Sequence, residues 1–305
     1  MRPLKLSAIQ SVERRQFLWA GGIGLLSGFG KVDAAQSRSS LKSRIVCVGG
    51  GITEIICALG YESSLVGVDT TSRYPLSVRH LPSVGYARHL SLEGVLALAP
   101  QQVIVGHDAG PLAVLSRLRE ASVLVSRVED GHTLDALIAR VKQIGQLLKC
   151  VGQAQALIEN LNLEWDALRQ TLAIPAHTIR VMFVLGQTPS QMLVAGTDTG
   201  ADAMLKHAGL QNAFSDFRGY RPVTAEAIIA AQPDLVVLTQ ADALTPKNGP
   251  NSRSLIHQFT GLSATPAARP SRWLVFDTMF LLSFGPRLPD AILTLRRASI
   301  EAMRT

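Results

Sequence analysis

One motif occurs twice in the sequence, and its two copies align without a gap. The first copy, residues 91–105, reads SLEGVLALAPQQVIV, and the second, residues 224–238, reads TAEAIIAAQPDLVVL. In both copies Ser or Thr stands two residues before Glu, and Pro separates a helical stretch from an apolar strand. Ser and Thr cap helix N-termini, Glu stabilises the first turn, and Pro cannot continue a helix. The repeat therefore predicts two lobes built on the same plan.

The rest of the chain also alternates between short apolar strands and helices. A helical stretch at 51–60 matches one at 200–209 in its length and in the glycines at both ends. Strands are predicted at 44–48, 65–68, 103–105, 123–125, 178–184, 235–238 and 273–276, and a closing helix at 286–303. This alternation is typical of parallel sheets that helices cover on both faces. We therefore expect an α/β fold of two Rossmann-like lobes with central, mostly parallel sheets.

Residues 133–173 form one long helical pattern between the two halves. Apolar residues keep helical spacing from Leu134 to Leu168, and Gly152 marks the position where the helix could break. At about 1.5 Å per residue such a helix would extend roughly 60 Å, which is longer than a small domain. It is predicted to be one long bridging α-helix between an N-terminal lobe (35–132) and a C-terminal lobe (174–305).

The first 34 residues are predicted to be a cleaved export signal that is not part of the fold. Arg14 and Arg15 precede an uncharged stretch at 17–30, and small residues follow around Ala34. Paired arginines, an apolar region and a small-residue cleavage site are typical of twin-arginine signals. The alternative is a short membrane anchor, but about 20 apolar residues are needed to span a bilayer. We expect export, with cleavage after Ala34.

Charge, cysteines and motifs exclude several classes of function. The formal charge of +7 falls to +4 without the predicted signal, which is only mildly basic, and no Lys/Arg cluster alternates with aromatic residues, so nucleic acid is not an expected partner. The odd cysteine count (Cys47, Cys57, Cys150) argues against a disulfide framework, and no Cys or His has metal-ligand spacing. Gly49–Gly51 lacks the spacing of a dinucleotide-binding loop, and residues 106–110 are not a nucleophile elbow. We expect a binding protein and not an enzyme.

The two glutamates of the repeat, Glu93 and Glu226, have two interpretations. Each could do no more than complement the dipole of its own helix. Because they occupy matching positions in two lobes, they could instead engage a two-fold partner such as a dimeric membrane permease.

The export signal, the Gly-rich start, the repeated glutamate motif and the long helix together resemble the helix-bridged class of binding proteins of ABC importers. That class carries cobalamin, ferric siderophores or haem. The resemblance covers residues 44–305 and implies a periplasmic protein whose Glu93 and Glu226 dock onto an inner-membrane permease dimer. It also implies a ligand held between the lobes at the carboxyl ends of the strands, where α/β sheets generally bind.

Three segments resemble the periplasmic haem-binding subfamily more closely: DTTSRYP at 69–75, LPSVGYARHLSLEG at 81–94 and LLSFGPR at 281–287. This resemblance implies ferric haem as the transported ligand, with Tyr86 bound to the haem iron. An outer-membrane haem receptor would then belong to the same system. Without the resemblance, a Tyr-x-Arg sequence before a helix would be read as an ordinary contact at the rim of a cleft. The alternative ligand within the class is a ferric siderophore or cobalamin.

The chemistry of ferric iron is consistent with Tyr86. A phenolate is a suitable axial ligand, and the metal promotes its ionisation. If the segment is extended, Arg88 points to the same side as Tyr86 and favours the charged phenolate. Haem propionates pair with arginines, and the candidates are Arg73, Arg88 and Arg221. Tyr220 mirrors Tyr86 in the second lobe and either stacks on the porphyrin or only packs.

One loop departs from the pattern of the subfamily. Some members place a second iron ligand, a histidine, in the loop that is residues 186–192 here, and this loop contains no histidine. We therefore expect one haem per chain. His89 and His107 remain as further candidate ligands, each with the alternative of an ordinary surface histidine.

Overall fold

The computed structural model describes residues 43–172, 178–186, 193–240, 247–248 and 259–304. The predicted export signal lies outside these residues, and so does the predicted loop from residue 187 to 192. In the described ranges, no helix is both long enough and apolar enough to cross a bilayer.

The N-terminal lobe is built on a parallel sheet. Its elements are β1 (Ile45–Val48), α1 (Gly50–Ala58), β2 (Leu65–Val68), β3 (Gly85–Tyr86), β4 (His89–Leu90), α2 (Leu92–Ala97), β5 (Gln102–Gly106), α3 (Leu112–Glu120) and β6 (Leu124–Val128). The strand order is β2-β1-β5-β6 with every pairing parallel, while β3 and β4 form a separate antiparallel hairpin. The predicted α/β class is confirmed for this lobe.

The C-terminal lobe has a mixed sheet with a parallel centre. Its elements are β7 (Arg180–Leu185), β8 (Leu193–Ala195), α6 (Gly200–His207), β9 (Gln211–Asn212), β10 (Tyr220–Arg221), α7 (Ala225–Ala231), β11 (Leu235–Gln240), β12 (Lys247–Asn248), β13 (Trp273–Asp277), α8 (Thr278–Leu282) and α9 (Leu288–Arg304). The central strands β7, β11 and β13 are parallel, and β8 and β12 are antiparallel to their neighbours. The predicted parallel sheet is therefore found at the centre of this lobe, while strands at its edges pair antiparallel.

The predicted long helix is two consecutive helices, α4 (Leu134–Leu147) and α5 (Val151–Leu172). The break lies at 148–150, just before Gly152, as predicted. There Lys149 adopts a left-handed φ of 56° and the Cys150 amide donates to the Gly145 carbonyl at 2.8 Å. These are features of a helix C-cap. The 22-residue α5 is the bridging helix, and at about 1.5 Å per residue it extends roughly 33 Å.

Gly145 allows α4 and α5 to approach closely at this break. A Cβ at position 145 would lie 2.4 Å from the Ala154 Cβ, so only glycine fits there without a shift. The two helices therefore pack against each other instead of continuing along one axis.

Both copies of the repeated motif fold alike. The residue before each proline, Ala99 and Gln232, has a φ of 42°. In the first copy the Gln101 side chain accepts from the Arg44 amide, and in the second Asp234 accepts from the Arg180 amide. The matching pattern of backbone and side-chain bonds confirms that the lobes share one plan.

The core of the molecule crosses from lobe to lobe. Side chains alternate along the central strands: Ile45 and Cys47 face one cluster, and Val46 and Val48 face another. β7 does the same, with Val181 and Phe183 on one face and Met182 and Val184 on the other. The first set from each lobe belongs to one continuous apolar cluster that also contains residues of α4, α5 and α9. This shared core joins the two lobes.

A polar contact, which we call the lobe seam, links the lobes beside this core. It consists of Glu54 from the first lobe, Arg140 from α4, and Ser283, Phe284 and Arg287 from the second lobe. The Glu54 carboxylate accepts two bonds from Arg287, at 3.0 and 2.7 Å, and one from Ser283 at 3.0 Å. Arg140 donates to the Phe284 carbonyl at 3.3 Å. Burial raises the pKa of Glu54, and the bonds from Arg287 and Ser283 oppose that effect. The bidentate geometry is that of a charge-assisted pair.

We expect Glu54→Gln to lower the free energy of unfolding by about 3 kcal/mol, because the substitution leaves the Arg287 charge partly buried without its counter-ion. Asp198→Asn is the control, since it removes an ion pair with Arg218 that is exposed and worth less than about 1 kcal/mol. Urea denaturation followed by tryptophan fluorescence measures both. Equal losses in the two variants would contradict a special role for the lobe seam.

Candidate functional site

A cleft opens between the lobes at the carboxyl ends of their parallel strands. It contains a cavity of about 510 Å³ and an adjoining one of about 290 Å³. Both are lined by Thr71 and Tyr86 from the first lobe and by Met279 and Leu282 from the second. Ligand pockets in proteins commonly have volumes of about 300–1,000 Å³. The position agrees with the sequence-based expectation of a ligand between the lobes.

The two walls of the larger cavity differ in character. The second lobe contributes mainly apolar side chains, Leu185, Leu193, Met279 and Leu282, with Asp277 and Thr278 beside them, whereas the first lobe contributes only Thr70, Thr71, Arg73 and Tyr86. An apolar plane with a polar edge would fit between these walls. The cleft therefore suits a flat, largely hydrophobic ligand that carries a metal or a charged group on one side.

Tyr86 has an exposed side chain on a backbone that hydrogen bonds hold in place. It lies on the β3–β4 hairpin, with 45% of its surface exposed. The hairpin is held from both sides, since the Thr70 amide donates to the Gly85 carbonyl at 3.0 Å and the Gly110 amide donates to the Ala87 carbonyl at 2.9 Å. Gly85 has a φ of 99° that disfavours other residues. The phenol is thereby presented to the cleft at a defined position.

Arg88 lies beside Tyr86 for a different reason from the one predicted. The segment is not extended: Arg88 occupies the turn between β3 and β4. Its Nε donates to Asp108 at 3.0 Å, and both side chains line the smaller cavity with Tyr86. The bond to Asp108 raises the pKa of Arg88, and the charge of the Tyr86 phenolate raises it further. The expected proximity of the two groups is found, with Asp108 as an anchor that sequence reasoning missed.

Asp69 organises the loop that follows β2. Buried to 2% exposure, it accepts bonds from the Gly49 amide, from the Thr71 amide and hydroxyl, and from the Ser72 hydroxyl, at 2.6 to 3.1 Å. This loop supplies Arg73, which lines the larger cavity. The position of Asp69 directly after a buried strand is the sequence signal that could have identified it.

Tyr220 and Arg221 have surroundings unlike those of Tyr86 and Arg88. Tyr220 is half-buried against the shared core, and its hydroxyl accepts from the Ala201 amide at 3.4 Å. Burial raises the pKa of Tyr220, which disfavours a phenolate. The Arg221 guanidinium lies 3.8 Å from the centre of the Phe217 ring. Neither residue lines the two cavities described above.

The two candidate histidines are exposed and do not line these cavities. His89 pairs with Tyr86 across the hairpin, and His107 lies between the cavity residues Gly106 and Asp108. Among the residues that the structure describes, no group of three or more His, Cys, Asp and Glu side chains is arranged to hold a metal ion. A metal that arrives inside a chelating ligand needs no such group.

Glu93 and Glu226 are exposed in the first turns of α2 and α7. Ser91 and Thr224 cap these helices as predicted, accepting from the amides three residues on at 3.0 and 3.3 Å. Bonds from its own amide and from Thr224 lower the pKa of Glu226.

Comparison with known proteins gives consistent results. The family model described as "Periplasmic binding protein" matches residues 45–275. The structure of the periplasmic heme-binding protein BhuT in complex with two hemes is 37% identical with a TM-score of 0.77, covering 85% of this chain and 98% of that one. The apo form of the periplasmic heme-binding protein RhuT from Roseiflexus sp. RS-1 is 34% identical with a TM-score of 0.78, covering 86% and 99%.

A relative with another ligand is more distant. The vitamin B12-binding protein of Pectobacterium carotovorum subsp. carotovorum (strain PC1) is 25% identical, over 65% of this chain and 72% of its own length. BhuT and RhuT are thus similar to this chain at higher identity and over more of its length than this relative is.

We expect the two tyrosines to differ in their contribution to stability. Tyr220→Phe leaves the Ala201 amide without its acceptor in a half-buried position and should cost about 1 kcal/mol. Tyr86→Phe, at an exposed position, should change the free energy of unfolding by less than about 0.5 kcal/mol. Chemical denaturation of both ligand-free variants tests this. A larger cost for Tyr86→Phe would show that Tyr86 has a structural role.

Proposed function

Because the chain belongs to the periplasmic binding protein family, we propose that it captures ferric haem in the cleft between its lobes and delivers it to the permease of an ABC importer. The observation that carries this proposal is Tyr86, an exposed phenol on a fixed hairpin between two adjoining cavities. The role is one of binding and not of catalysis.

Haem fits the two walls of the cleft. The porphyrin is a flat apolar ring, which the leucines and Met279 of the second lobe can contact. Its ferric iron is a Lewis acid that accepts a phenolate ligand, and Tyr86 would supply it. Arg88, held by Asp108, would stabilise the negative charge of that phenolate. Iron binding itself supplies most of the drive for deprotonation.

The propionates of haem require cationic partners. Arg73 and Arg88 line the cavities and are the candidates that the geometry favours. Arg221 stacks on Phe217 instead, and Tyr220 is engaged with the Ala201 amide. We therefore assign Tyr220 and Arg221 to the framework of the second lobe rather than to haem contact.

The alternatives within the family are cobalamin and a ferric siderophore. A siderophore carries iron that is already coordinated, so it would need cationic contacts and no protein ligand to the metal. The higher similarity to haem-binding structures than to the vitamin B12-binding relative supports haem. So does the exposed phenol, because a phenolate is a suitable axial ligand for the iron of ferric haem.

The predicted spectrum distinguishes these ligands. Hemin added to the wild-type protein should give a high-spin ferric, tyrosinate-type absorption spectrum at one haem per chain. Tyr86→Phe should remove that spectrum and weaken hemin binding by more than about 100-fold, or about 2.7 kcal/mol. Tyr220→Phe is the matched control and should keep both spectrum and affinity. Unchanged hemin affinity in Tyr86→Phe would remove Tyr86 from the ligand role.

The same proposal assigns Glu93 and Glu226 to docking on the permease dimer. Both are exposed, charged and placed alike on the two lobes. Export by the twin-arginine-type signal would bring the protein to the periplasm, and an outer-membrane receptor would supply the haem.

Glu93→Ala combined with Glu226→Ala should leave hemin binding intact and abolish haem transport, because neither residue lines the cleft cavities. Uptake of haem into proteoliposomes that contain the permease measures transport, and a hemin titration provides the control. Loss of hemin binding in the double variant would contradict the assignment of these residues to docking.

A further inference from the structure

The outward faces of α2 and α7 each carry a glutamate, an aliphatic residue and an alanine in the same order. On α2, Glu93 is followed one turn later by Leu96 and Ala97, all of them exposed. Residues three and four apart lie on one face of a helix. We call this face, together with its counterpart on α7, the docking corners.

The docking corner of α7 consists of Glu226, Ile229 and Ala230, which are also exposed. Leu96 is 38% exposed and Ile229 42%, and each stands three residues after its glutamate. The two aliphatic residues occupy matching positions in the gapless repeat.

Folding of the helices does not explain these aliphatic residues. Each helix is held to its lobe by a different side chain, Val95 in α2 at 0% exposure and Ile228 in α7 at 1%. The face opposite the core is usually polar. A single exposed aliphatic residue needs no explanation, but the same departure at two matching sites, each beside a charged residue, has a shared cause.

We propose that each docking corner is a two-part contact, in which the glutamate binds a basic side chain and the aliphatic residue enters an apolar pocket next to it. This deepens the proposed function and rests on it. The partner is the permease dimer, which would present the basic group and the pocket once in each half, so that one two-fold surface receives both lobes.

Charge favours the permease over a second copy of this chain. Corner-to-corner contact between two copies would bring Glu93 and Glu226 against carboxylates of the same sign, which is unfavourable at an interface. A basic two-fold partner pairs with both corners at once. The residues of the docking corners are therefore complementary to a partner surface that is positively charged and has small apolar pockets.

The two parts of each corner have separable effects. Charges at the edge of an interface act mainly on the association rate and on its salt dependence. Buried apolar side chains act mainly on the dissociation rate. The glutamates would thus orient the approach of the protein, and Leu96 and Ile229 would prolong the complex.

The test measures binding of the haem-loaded, full mature protein to its cognate permease complex in lipid nanodiscs. Leu96→Gln combined with Ile229→Gln should weaken binding about 30-fold through faster dissociation, with the salt dependence of association kept. Hemin binding and the melting temperature should not change. Leu163→Gln is the matched control, because Leu163 is 71% exposed on α5, away from both corners, and it should bind like the wild type.

The outcomes separate this inference from the function on which it rests. If the glutamate variants lose permease binding and the Leu96/Ile229 variant does not, the two-part contact is wrong and docking by charge stands. If the wild type binds hemin but not the permease, the two-part contact and delivery to the permease both fail, and haem capture alone stands. If Gln at these sites unfolds the helices, the variant Leu96→Ala with Ile229→Ala is used instead. If that variant dissociates from the permease at the same rate as the wild type, the inference is overturned. Reduced self-association with unchanged permease binding would identify a second copy as the occupant, which also overturns it.

Discussion

The buried ion pair between Glu54 and Arg287 is the interaction on which the arrangement of the two lobes depends. Charges that are removed from water are costly unless their hydrogen bonds are complete, and Glu54 meets this condition with three bonds from the opposite lobe. Sliding of one lobe along the other would break them together. The same segment of the second lobe carries Met279 and Leu282, which line the cleft. The lobe seam and the shared core therefore fix the width of the cleft as well as the stability of the fold.

The cleft that results is asymmetric, although the two lobes share a plan. In the first lobe a hairpin held by backbone bonds presents Tyr86, and Asp108 restrains Arg88 beside it. In the second lobe the tyrosine at the comparable place, Tyr220, turns its hydroxyl to the amide of Ala201. The repeat thus preserves the framework while the chemistry toward the ligand is concentrated in one lobe. Such an arrangement suits a ligand with one coordinating centre and an apolar face.

The ligand site and the docking corners are close neighbours in the chain. Tyr86 precedes Glu93 by seven residues, and β4 is the only named element between them within that described stretch. The hairpin and α2 are both anchored on the first sheet, since Leu90 and Val95 belong to the same buried cluster as Val46 and Val103. In the proposed function, a permease that binds α2 would contact an element whose base also supports Tyr86, so that ligand capture and docking would involve the same part of the first lobe.

The sequence by itself determined the features that depend on local rules. Side-chain alternation, helical periodicity, hydroxyl caps and the prolines at 100 and 233 predicted the strands, the two lobes and the position of the repeated glutamates. The tertiary structure alone decided the rest. Glu54 and Arg287 stand 233 residues apart, and the close packing of α4 on α5 depends on the space that Gly145 leaves for Ala154. Two further features depend on residues that are distant in the sequence. One is the turn that brings Arg88 to Asp108, and the other is the burial of Tyr220, which distinguishes it from the exposed Tyr86. No local pattern records such contacts, because their free energy arises only when separate segments exclude water together.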